Sequence, residues 1–111
     1  MIRAEFPLRA KSLTLEASSL PETWKSRILG VIGQANIKLI RMDKGGIPAE
    51  RHDDFAEALI LIEGNLQLDV EGQLIEMKSG DYYLIPRGKT HRVLPGSDGT
   101  LLLIDAQSAL S

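Results

Sequence analysis

The sequence predicts an all-β domain: an antiparallel sandwich or barrel of about seven or eight short strands. Three observations carry this. From Gly30 onward, short apolar or alternating segments recur between turns rich in Gly, Pro, Asn and Asp. Leu66, Leu68 and Val70 alternate with Gln67, Asp69 and Glu71, the pattern of a strand with one buried face. Nothing between the turns is long or periodic enough for the crossover helices of a parallel sheet. The 111 residues suit one domain and one core. They include 13 Lys+Arg, 15 Asp+Glu and no Cys. The absence of Cys removes disulfides, thiolate zinc sites, iron–sulfur clusters and Cys nucleophiles. The net charge of −2 carries no nucleic-acid footprint. The longest apolar run, Ala58–Ile62, is far short of the roughly 18 residues that span a bilayer. Met1–Phe6 has no apolar signal-peptide core, so a soluble cytoplasmic domain is expected.

Taken in order, residues 1–29 are mixed and weakly periodic, and read as an N-terminal extension. Residues 30–111 read as the barrel. In the extension, Ser18 or Ser19 could cap a short helix around Pro21–Leu29, with Trp24, Ile28 and Leu29 as its buried stripe. Ser12–Glu16 also alternates like a strand. Ile37–Met42 reads as a strand closed by the turn Asp43–Gly46. Ala58–Ile62 is the next, closed by Glu63-Gly64-Asn65. Leu66–Val70 and Leu74–Met77 flank the turn Glu71-Gly72-Gln73. Tyr82–Ile85 stops at Pro86-Arg87-Gly88, His91–Leu94 at Pro95–Gly99, and Thr100–Asp105 is the last strand.

His52 and His91 are the only histidines. Glu50 and His52, if on one strand, project to the same face. Glu57 shares a face with Leu59 and Leu61, where an ionised carboxylate is costly unless paired or metal-bound. One His, one or two carboxylates and a distant His could converge inside a barrel. Such a set suits Mn, Fe, Co, Ni or Zn better than a soft metal.

Gly80–Pro95 resembles the second motif of the cupin superfamily, G-(x)5-P-x-G-(x)2-H-(x)3-N. Gly80, Pro86, Gly88 and His91 fall in register, and Pro95 replaces the final Asn. The first motif is G-(x)5-H-x-H-(x)3,4-E-(x)6-G. Glu57 and Gly64 fit its second half. In its first half, one register takes Glu50, His52 and Glu57, with Glu50 where the first His stands. The other takes His52 and Asp54, preserving the spacing from Gly46. The first is preferred, because small cupins often run H-x-H-D-D-x-x-E and residues 50–57 match at every position but the first. Asp53 and Asp54 then belong to a solvated turn.

The resemblance spans roughly residues 34–106. It implies a double-stranded β-helix, a small jelly-roll barrel, with one divalent metal in its mouth. Carried over by position, the ligands are Glu50, His52, Glu57 and His91. This two-His, two-carboxylate set is neutral with a divalent ion and favours Mn or Fe, with Zn or Ni also suitable. It implies a small polar molecule as ligand and a homodimer that covers exposed strand edges with help from residues 1–29. A metalloenzyme and a non-catalytic ligand-binding or metal-free, eroded cupin both stay open. Plainer roles serve other residues. Gly64, Gly80 and Gly88 suit turns. Trp24 covers the barrel, and Phe55, Tyr82 and Tyr83 suit core or interface. Arg87, Lys89 and Arg92 suit a solvated loop.

Overall fold

Ser12 starts the first element. Its Oγ accepts from Leu15 N–H, capping helix α1, Leu13–Ser18. A computed structural model describes residues 8–106, and within them α1 is the only helix. Ser18 and Ser19 end it: their hydroxyls donate back to the Leu15 and Glu16 carbonyls. Ala17 and Leu20 then bury against Leu39. The expected helix around Pro21–Leu29 does not form, and neither does a strand at Ser12–Glu16. The serines act one turn after a helix instead of before one. Ile28, Val31 and Ile32 are β-branched and lie in a strand, β1 (Arg27–Ile32). Ile28 and Leu29 are therefore exposed, not a buried stripe.

Seven further strands follow: β2 (Ala35–Asp43), β3 (Ile47–Glu50), β4 (Glu57–Val70), β5 (Gln73–Lys78), β6 (Tyr82–Ile85), β7 (His91–Val93) and β8 (Asp98–Asp105). They hydrogen-bond in the order β1-β2-β8-β4-β7-β3, with β5 and β6 also paired to β4. Every pairing is antiparallel. The chain is thus mostly β, curled into a barrel-like sheet with one short helix. No helix among the described residues is long and apolar enough to cross a membrane.

Strand β4 organises the rest. Its first part, Glu57–Ile60, lies between β6 and β8, and its last residues, Leu68–Val70, lie between β5 and β7. The expected turn at Glu63-Gly64-Asn65 does not form: these residues lie inside this one strand, whose register with β8 shifts between Leu61 and Glu63. Gly64 has φ +102, and a Cβ there would stand 1.9 Å from the Asp98 carbonyl oxygen. Gly64 and Gly99 are register partners, and Gly99 is equally blocked, 2.0 Å from the Glu63 carbonyl oxygen. Glycine serves close backbone approach here, not chain reversal.

The alternation read at Leu66, Leu68 and Val70 puts all three in the main core. Leu59, Leu61, Ile85 and Leu101 join them, all fully buried. Leu59 and Leu68 from β4 and Leu101 and Leu103 from β8 line a cavity inside the curled sheet.

Candidate metal centre

Four side chains meet at the cavity. Glu50 ends β3, and its register partner across the ladder is His91, the first residue of β7. Glu57 opens β4 on the same face as Leu59 and Leu61, and all three are buried. His52 lies in the loop between β3 and β4. Its carbonyl accepts from Gly88 N–H at 2.7 Å, and its ring stacks on Phe55 with centroids 4.6 Å apart. Phe55 therefore orients a histidine, a role its sequence position did not reveal.

The distances are short. His52 Nε2 lies 3.3 Å from Glu50 Oε2 and 3.7 Å from Glu57 Oε2. His91 Nε2 lies 3.8 Å from Glu57 Oε1. Ligand atoms of Glu50, His52 and His91 all fall within 4.8 Å of one another. Asp54, from the alternative register, is exposed and does not line the cavity.

The electrostatics are those of a cluster rich in acceptors. His91 Nδ1 is 3.0 Å from the Lys89 carbonyl oxygen. A carbonyl only accepts, so Nδ1 carries the proton and Nε2 of the neutral ring holds a lone pair. That Nε2 is buried and has no hydrogen-bond partner. Burial pushes the Glu57 carboxyl up from 4.5 to about 7, with Glu50 and Asp105 acting the same way and His52 and Lys38 against. A buried lone pair facing carboxylate oxygens is unfavourable alone, and is resolved by a cation between them. The donor set of imidazole nitrogens and carboxylate oxygens fits a divalent first-row ion. The Lys89 contact is of the kind that fixes a histidine for metal ligation.

The cavity has a volume of about 280 Å³. Sequence reasoning missed two of its residues. Lys38 and Asp105 form an ion pair at 2.8 Å, both largely buried. Asp105 also accepts from Asn36 Nδ2 at 3.1 Å. Lys38 shares its strand face with Ile40, and Asp105 shares its face with Leu101 and Leu103. Charges on otherwise apolar faces were the available signal. Trp24 lines the cavity too. Of the three basic residues expected in a solvated loop, Arg92 reaches the cavity wall, while Arg87 and Lys89 do not. Tyr83 packs on the core, and Tyr82 is exposed.

An eight-stranded curled sheet with a His/Glu cluster in its mouth defines a double-stranded β-helix protein. Residues 38–106 match the cupin domain, and the chain belongs to the cupin family. No curated protein matches the chain. Among solved structures, it is similar to a cupin-2 domain containing protein from Shewanella frigidimarina, with 24% identity and a TM-score of 0.79. That match covers 87% of this chain and 94% of the other. It also resembles protein NMB1881 from Neisseria meningitidis, with 19% identity, 89% and 100% coverage and a TM-score of 0.75. A putative mannose-6-phosphate isomerase from Ralstonia eutropha aligns at 16% identity, 90% and 99% coverage and a TM-score of 0.74. At these identities the likeness is one of fold.

Proposed function

We propose that this cupin holds one divalent transition metal through Glu50, His52, Glu57 and His91 and uses it to bind a small polar metabolite. Mn or Fe is favoured, and Zn or Ni is accommodated. The observation that carries this is the buried His91 Nε2, its tautomer set by Lys89 and no hydrogen-bond partner in front of it. A bound ion supplies Lewis-acid activation of ligand oxygens. The residues do the rest. Phe55 and the Gly88 amide hold His52 in place. The Lys38–Asp105 pair fixes charge beside the ligand, and the apolar walls exclude water.

The test is elemental analysis of protein purified without chelator or a His tag. One equivalent of a transition metal in the wild type, lost in both His52→Ala and His91→Ala, is expected. No metal, even after reconstitution with Mn, Fe, Ni or Zn, overturns the proposal. Glu50→Ala is expected to weaken metal binding and Asp54→Ala to leave it unchanged, and the opposite pattern moves the site to the other register. A metal-free, ligand-binding cupin is the second reading. It is favoured by Glu50, which stands where the cupin motif carries its first histidine. We further infer a cytoplasmic homodimer, supported by the absence of cysteine and by the apolar outer edge of β1.

A further inference from the structure

One wall of the cavity is unused by the metal proposal. Trp24 lines it from outside residues 38–106, the stretch that matches the cupin domain. Its backbone is left-handed, with φ 64. A bulky aromatic adopts that conformation only where its surroundings impose it, and such residues cluster at ligand clamps.

The surroundings impose it from several sides. Trp24 N–H donates to the Arg41 carbonyl at 2.9 Å. The indole Nε1–H donates to the Asp43 carboxylate. The other Asp43 oxygen accepts from Thr23 Oγ1 at 2.9 Å. Gly45 leaves the room: a Cβ there would stand 2.9 Å from the indole Nε1. The indole packs against the main core and is only partly buried. Filling space against a core requires neither a left-handed backbone nor a fixed ring orientation. Fixing the ring orientation matters if something binds against its face.

Besides Trp24, the aromatic rings lining the cavity are the imidazoles of His52 and His91, which belong to the metal end. Ile40, Leu59, Leu101 and Leu103 are aliphatic and treat a planar and a saturated ring alike. Trp24 carries the large π surface, and flat groups stack on it with a preference beyond their buried area. The volume of about 280 Å³ is at the small end for ligand sites and suits a molecule with a single ring.

We propose that Trp24 determines specificity: it is a preorganised wall that selects a small oxygen-bearing ligand with a planar aromatic or conjugated body. The ligand's oxygens lie at the Glu50, His52, Glu57 and His91 end, so this rests on the metal proposal.

Isothermal titration of the full chain loaded with Ni2+ tests it, using lactate, hexahydromandelate and mandelate. These share one chelating 2-hydroxycarboxylate and differ in a methyl, a saturated ring and a planar ring. Mandelate is expected to bind about threefold to tenfold tighter than hexahydromandelate. Mandelate is also expected to quench the fluorescence of Trp24, the single tryptophan of the chain. Trp24→Leu is expected to abolish the preference between the two rings while Ni2+ affinity stays within about twofold of wild type. Gly45→Ala, which pushes the indole aside, is expected to do the same. If Trp24→Leu does not fold, Gly45→Ala decides. Equal binding of both ring acids to the wild type, or a preference that survives these substitutions, overturns the proposal. Ni2+ that fails to bind the wild type overturns the metal proposal and this one with it. Ni2+ that binds normally without any ring preference overturns this one alone.

Discussion

Glu57 faces two opposed demands: a buried wall favours its neutral form, and a bound cation favours its charge. The folded, metal-free chain holds the proton up to about pH 7, against 4.5 for an unperturbed carboxyl. The folded state thus binds the proton more tightly than the unfolded one. The associated stability is full below pH 4.5 and is lost as pH rises through about 7. His52, Glu50, Asp105 and Lys38 also face this carboxyl, so the comparison of wild type with Glu57→Gln isolates its share. Thermal melts of metal-free protein between pH 5 and pH 8 should show wild-type stability falling on the order of 2 kcal/mol more than that of Glu57→Gln. Equal slopes would exclude the proton as the cause. Metal reverses the sign. In the proposed site Glu57 binds the ion as its carboxylate, so metal affinity should rise over the same window.

Among the elements, the close backbone approach of β4 and β8 at Gly64 and Gly99 is the least tolerant feature. Gly64→Ala would drive a methyl into the Asp98 carbonyl, backbone against backbone. Denaturant unfolding should show a loss of about 3 kcal/mol or more. Gly72, at φ +84 in the open turn between β4 and β5, has nothing within 4 Å of where a Cβ would stand. Gly72→Ala should cost only about 1 kcal/mol, from backbone conformation alone. The sequence distinguishes these two glycines poorly, because the obstacle at Gly64 comes from β8, far along the chain. The same physical divide explains what else was legible. Strands β2 and β5 to β8 announce themselves by local alternation and turn residues, β4 does so only as two pieces parted by a supposed turn at Glu63–Asn65, and Glu50, His52 and Glu57 stand out through their likeness to the cupin motif. Helix α1 was hidden because serines serve either end of a helix. Lys38 with Asp105, and Trp24 with Asp43, meet only through strand register or a local fold-back, and no short-range pattern encodes that.

For the whole molecule, one exposed edge is the outer side of β1, which among the described residues pairs only with β2. Ile28, Val31 and Ile32 on it are 52%, 60% and 70% exposed. An apolar edge with free backbone groups is a template for another strand, and antiparallel self-pairing satisfies a two-fold. Light scattering should find a dimer for the wild type and a monomer for a chain carrying Val31→Glu and Ile32→Lys, with metal binding retained. A monomeric wild type would exclude this assembly. The two halves of the metal cluster also differ in kinship to the fold. Glu57 belongs to β4, flanked by neighbours along its length, so its amides should exchange with solvent only when the whole molecule opens. Glu50 and His52 sit on and after the short outer strand β3, whose amides should exchange at lower cost. In hydrogen exchange the Glu50 side of the site should therefore open before the Glu57 side, and equal protection of β3 and β4 would exclude that order.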